Sequence, residues 1–101
     1  MLAITLRQGK EIVGGLTGWV WMGWCHVDLL WIDGKYRGKG RGTKLMRKAE
    51  AEARRHGAKN IFLDSFSFQA PGFYKKLGFR EFGRLKNFPA AHTRHFLTKA
   101  L

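Results

Sequence analysis

A run rich in glycine and positive charge, Asp33-Gly34-Lys35-Tyr36-Arg37-Gly38-Lys39-Gly40-Arg41-Gly42, separates two kinds of hydrophobic periodicity in this chain. Glycine at that density cannot form a strand interior, because it loses backbone entropy on ordering and offers no side chain to pack. The run therefore reads as a loop. Before it, Leu2, Ile4 and Leu6 alternate with Ala3, Thr5 and Arg7, the period of a strand. A turn at Gln8, Gly9 and Lys10 follows, then two stretches rich in β-branched and aromatic residues at 12–22 and 24–32, joined by a tight turn at Met22 and Gly23. The first third is expected to be an antiparallel meander.

After the loop the period changes to 3.6. Leu45, Met46, Ala49 and Ala53 fall on one stripe of a helix expected at 43–56, with Glu50 and Arg54 as an i, i+4 pair on its wet side and Gly57 as its stop. Residues 61–66 form a short apolar strand. Because it follows strand, loop and helix, it should lie parallel to the strand ending at Ile32, making a βαβ unit. Pro71 opens a short helix whose Ala70, Phe73 and Leu77 supply a buried stripe, and Gly78 ends it. Two last strands, 79–88 and 93–101, flank a turn at Pro89. The expected order is β, β, β, loop, α, β, α, β, β, in an α/β (α+β) fold.

Composition narrows the classes further. The 101 residues suit one domain, and a hydrophobic fraction of 45% is too high for a disordered tail. The opening MLAITLRQGK lacks the apolar run of a signal peptide or membrane span, so a cytoplasmic protein with no membrane association is expected. The single Cys25 excludes an internal disulfide framework and reads as a small buried hydrophobe. His92 and His95 lack the further ligands of a metal site, and no metal is expected. Nineteen Lys and Arg against seven Asp and Glu give a net charge of +12, and Lys35, Arg37, Lys39, Arg41, Lys44, Arg47 and Lys48 concentrate that charge in one segment. An anion belongs there, either a nucleic-acid backbone or a small phosphate-bearing ligand.

The loop's position selects between them. At a helix N-terminus the first N–H groups lack intrahelical partners, and glycines allow a phosphate to approach the backbone. No Gly-Lys-Ser/Thr closes the loop as in a P-loop, and no G-x-G-x-x-G is present. Arg37-x-x-Gly40-x-Gly42 instead resembles the Q/R-x-x-G-x-G/A loop of the GCN5-related N-acetyltransferases (GNAT). Downstream, Phe73-Tyr74-Lys75-Lys76-Leu77-Gly78-Phe79 resembles that family's F-Y-x-K-x-G-F segment. The resemblance spans roughly residues 2–101. It implies a mixed, mostly antiparallel sheet with a central parallel strand pair, and direct acetyl transfer from acetyl-CoA to a primary amine.

The resemblance also implies residue roles. Arg37, Gly38, Lys39, Gly40, Arg41, Gly42 and Thr43 would hold the cofactor diphosphate. Leu30, Trp31 and Ile32 would pair with its pantetheine arm, and a backbone N–H of the strand 29–32 would polarise the thioester carbonyl. Phe73 and Gln69 would complete the cofactor site; Ser67-Phe68-Gln69-Ala70 stands where many family members carry an asparagine, with Ser67 and Gln69 as alternatives for that contact. Tyr74 would protonate the departing thiolate, which a phenol neutral at pH 7 can do. The amine must lose a proton, and His26 and Asp28, two residues apart on one strand face, are the candidates, with Glu11, Asp33 and Asp64 left open.

One feature departs from the family. The strand and helices that usually precede the strand at 2–7 and wall the acceptor site are missing before it, so a short form with an incomplete acceptor half is expected, which a homodimer could complete. Trp19, Trp21, Trp24 and Trp31 crowd into the first hairpin, where core packing or a subunit contact is expected. The rival function is a non-catalytic acyl-CoA-binding or basic nucleic-acid-binding module, the latter disfavoured.

Overall fold

The computed structural model describes residues 1–38, 40–67 and 71–101; Lys39 and Gln69, both expected at the cofactor, lie outside them. The elements follow the expected order: β1 (Leu2–Gln8), β2 (Glu11–Trp21), β3 (Trp24–Ile32), a single 3-10 turn (Gly34–Tyr36), α1 (Arg41–Arg55), β4 (Asn60–Phe66), α2 (Pro71–Lys76), β5 (Arg80–Lys86) and β6 (Thr93–Ala100). Met22 and Gly23 both take positive φ, 53° and 80°, the hairpin geometry whose twist matches that of the flanking strands.

One six-stranded sheet results, in the order β1-β2-β3-β4-β6-β5. All neighbours are antiparallel except β3 and β4, the crossover pair joined through α1. That parallel pairing is short, running only from Trp24↔Asn60 to His26↔Phe62. Beyond it the two strands part.

Helix α1 begins at Arg41, earlier than the expected Thr43, because Gly40 at φ 76° already supplies the N-cap and Lys44 N–H donates to its carbonyl at 3.1 Å. At the other end Ala58 N–H donates to Ala53 O and Gly57 N–H to Arg54 O, the paired bonds of a glycine-terminated helix. The helix buries Leu45, Met46, Ala49 and Ala53 in one core with Leu2, Leu6, Val13, Leu16, Cys25, Val27, Ile61, Leu63 and Leu97. Burial pushes the Cys25 thiol up to about 11, with the Asp28 carboxylate adding to the shift.

One sequence expectation fails here. Glu50 is not on a wet face with Arg54: it is 2% exposed and receives Lys99 Nζ at 3.0 and 3.1 Å and Arg47 at 3.1 Å. The strand that carries Lys99 is 49 residues away, so no local pattern could reveal the partner. Of the four tryptophans expected in the core or at a subunit contact, Trp19 is half-buried and the other three lie open. Trp21, Trp24 and Trp31 are 66%, 40% and 42% exposed, since most of the hairpin's aromatics lie on sheet surface that neither helix covers.

Candidate active site

Where β3 and β4 part, a cleft of about 800 Å³ opens, lined by the second half of β3, the glycine loop, the first turn of α1, the middle of β4, and Phe73 and Tyr74 of α2. It takes residues from both faces of the sheet. Leu63 and Ser65 come from the side of β4 that faces the helices, while Asp28 and Asp64 come from the opposite side. The opening thus passes through the plane of the sheet rather than resting on it.

The loop forms the cleft's cationic end. Gly38 and Gly40 sit at φ 78° and 76°, in the left-handed region that side chains resist. Among the described residues, no atom outside their chain neighbours lies within 4 Å of where their Cβ atoms would be, so space is open beside both. No side chain caps α1 and no acidic residue occupies its first turn. The N–H groups before Lys44 therefore remain for an incoming anion, beside Arg37 and Arg41. This end fits a diphosphate. Arg37 Nε donates to Ile32 O at 3.2 Å, fastening the loop to β3. Arg41 reaches the other way, to Gln8 Oε1 at 2.6 Å, with its guanidinium 4.9 Å over the Tyr36 ring. Gly42 has a different reason to be glycine: a Cβ there would lie 3.1 Å from Phe73 Cζ, so the helix start and α2 touch through it.

The opposite end holds the titratable groups. Between β2 and β3 the register steps from Thr17↔Leu29 to Gly18↔Val27, leaving Asp28 as the extra residue of a bulge. Gly18 allows it, since a Cβ at that position would lie 2.2 Å from His26 O. Asp28 Oδ1 is 2.6 Å from His26 Nδ1, a close electrostatic contact without hydrogen-bond geometry, as Nδ1 has no hydrogen-bond partner. His26 Nε2 is 3.9 Å from Asp64 Oδ1, and Arg94 Nε donates to Asp64 Oδ2 at 2.8 Å. The His26 ring is fixed laterally by Phe62 and Trp19, with centroids 4.5 and 5.3 Å away.

Tyr74 stands against Phe73 and Phe79, with centroids 5.0 and 5.9 Å away. Burial raises its pKa and the Asp64 carboxylate raises it further, so the phenol is neutral and a hydrogen-bond donor at pH 7.

The structure thus brings Asp28, Leu30, Trp31, Ile32, Arg37, Gly38, Gly40, Arg41, Gly42, Thr43, Phe73 and Tyr74 onto one cleft. Among the described residues, His26 does not line it and meets it through Asp28 and Asp64. Sequence reasoning missed Val27, Leu63 and Ser65 as lining residues, because the point at which a parallel pair parts leaves no mark in either strand. Among the described residues no group of three metal-ligating side chains forms, and no helix is long and apolar enough to cross a membrane.

Comparison with known proteins agrees with this arrangement. The family model described as the acetyltransferase (GNAT) family matches residues 1–79. Blasticidin-S acetyltransferase of Streptomyces morookaense is 44% identical over 92 residues, 90% of this chain and 68% of that protein. Acetyltransferase Atu2258 of Agrobacterium fabrum (strain C58 / ATCC 33970) is 36% identical over 85 residues, 83% of this chain and 62% of that protein. The crystal structure of an acetyltransferase from Bacillus cereus ATCC 14579 superposes with a TM-score of 0.94 at 40% identity, covering 99% of this chain and 72% of that one. The chain therefore spans between 62% and 72% of the length of these relatives. It belongs to the acetyltransferase (GNAT) family and is an N-acetyltransferase whose cosubstrate is acetyl-CoA.

Proposed function

We propose that the chain transfers the acetyl group directly to a primary amine that approaches from the Asp28 face of the sheet, with the cofactor held from the helix-bearing face. The observation that carries this reading is the parting of β3 and β4 immediately beyond His26 and Phe62, in front of the left-handed glycines and the uncapped start of α1. Arg37, the glycine loop and the α1 N–H groups hold the diphosphate, and the edge of β3 at Leu30, Trp31 and Ile32 that β4 has left receives the pantetheine arm. Bound acetyl-CoA supplies an acyl group activated as a thioester.

The remaining chemistry falls to the chain. Asp28 orients an incoming ammonium and, with His26, takes its proton so that the nitrogen lone pair is free to attack. The new C–N bond forms as the C–S bond breaks, and the neutral Tyr74 phenol gives its proton to the departing sulfur. The tyrosinate regains a proton, through solvent, as the new amide nitrogen loses its second one, and solvent removes the proton from His26. Asp28 is half-exposed, and among the described residues its charge contact is a histidine rather than a Lys or Arg. It thus offers a local carboxylate to a cation in a chain of net charge +12. Blasticidin S, named for the relative at 44% identity, is the first acceptor to test.

The test begins with thermal shifts in acetyl-CoA, CoA and ADP at two salt concentrations. At 100 times Kd the stabilisation should be about 2.7 kcal/mol. A folded sample that does not respond to CoA overturns the reading, and a response to DNA alone that fades steeply with salt supports the nucleic-acid alternative. Thiol release with blasticidin S then tests transfer, and Tyr74→Phe should lower kcat by roughly 10²-fold or more. Unchanged turnover across pH in that variant would remove Tyr74 as the acid.

A further inference from the structure

Among the described residues, Ser65 carries a buried hydroxyl without a hydrogen-bond partner. The residue is 1% exposed, and its Oγ is buried and makes no hydrogen bond. It lies on the helix-facing side of β4 in line with Ile61 and Leu63, both apolar and buried, where an alanine would fill the row without an orphaned polar atom. Leaving a hydroxyl unpaired in such surroundings is unfavourable, so its partner must come from outside the chain or the cost is simply borne. The position decides between these. Ser65 is a wall of the cleft, alongside Leu63 and Tyr74.

We propose that Ser65 Oγ is a cofactor-contacting group that hydrogen-bonds an amide of the pantetheine arm, an inference that rests on the acetyl-CoA reading of the cleft. The cleft's polar groups are sorted by position. The glycine loop and the α1 N–H groups serve the phosphates at one end, and Tyr74 with Asp64 stands at the acyl end. Between them β3, paired only with β2 beyond His26, offers the edge that β4 has left, while the β4 wall offers Leu63 and Ser65. An amide passing between the strands would have backbone on its β3 side and the Ser65 hydroxyl on its β4 side. A hydroxyl both donates and accepts, so it can serve either the carbonyl or the N–H of that amide.

The experiment is calorimetric titration of wild type and Ser65→Ala with CoA and, separately, with ADP, together with the thermal midpoint of each free protein. Ser65→Ala should keep or raise the free protein's midpoint, because an unsatisfied hydroxyl is removed. It should weaken CoA about 3- to 10-fold, the range of one hydrogen bond, and leave ADP, which has no pantetheine arm, within twofold. Unchanged CoA affinity overturns the proposal, and so does an equal loss for CoA and ADP, which would report a general distortion of the cleft. A lowered midpoint with unaltered CoA binding assigns the hydroxyl to the free fold and also overturns it. Wild type that binds no CoA fails at the earlier step, separating failure of the acetyl-CoA reading from failure of the Ser65 contact.

Discussion

The two faces of the sheet follow different rules. On the face that carries α1 and α2, Cys25, Ile61 and Leu97 are fully buried and the one buried carboxylate, Glu50, is held by Lys99 and Arg47. One residue along the same strands, on the other face, Trp24, Phe62 and Thr98 line an open groove of about 460 Å³ with Arg80 and Phe82. Apolar content is thus similar on both sides while coverage is not. Stability belongs to the first face, and the second is free to carry Asp28, His26 and Asp64. The cleft is where the two meet.

That contrast can be broken by substitution. The largest effect should come from Leu45→Ala, which empties a fully buried site and should cost about 2–5 kcal/mol, or roughly 10 °C or more in Tm, whereas Phe82→Ala on the open face should cost less than about 1 kcal/mol. Equal losses in differential scanning calorimetry would mean that the second face is as tightly packed as the first. Glu50→Ala should come next, at about 3 kcal/mol, because it strands Lys99, which is only 18% exposed; Glu52→Ala, in a surface pair with Arg55, should stay within about 0.5 kcal/mol. Urea titrations of the two variants give that ratio directly. The smallest effect lies at the rim of the helix-bearing face. Desolvation pushes the Glu81 pKa up, but hydrogen bonds from His95 and Arg84 outweigh it and leave the group below its usual 4.5. A lowered folded pKa gives stability that is present above pH 4.5 and lost as pH falls through the folded value. Glu81→Gln should remove that acid-side slope, a change of no more than about 1 kcal/mol at pH 7; an unaltered Tm profile between pH 3 and 5 would assign the slope elsewhere.

The parts legible in the sequence were those set by local pattern. The periods of β1 and α1, the Met22-Gly23 turn and the glycine loop before a helix each depend on residues within a few positions of one another. Two things escaped because they depend on distant strands. The bulge at Asp28 exchanges the inward and outward positions along β3, so Cys25 and Val27 face the helices before it while Leu30 and Ile32 pack toward the core after it. No alternation read along the strand survives that step. Likewise, the burial of Glu50 depends on Lys99, and the place of Ser65 in the cleft wall depends on where β3 leaves β4. The site's cationic end was therefore readable as a motif, whereas its wall on β4 was not.

The single thiol has a practical consequence. Cys25 is fully buried, and its pKa stands near 11 against an ordinary 9.0, so at pH 8 its thiolate fraction is about a hundredfold lower than that of an unshifted cysteine. In a colorimetric assay of released CoA, the folded enzyme should contribute almost no signal of its own. A slow rise in the absence of acceptor would then count molecules that have opened, making the same cuvette a gauge of turnover and of unfolding.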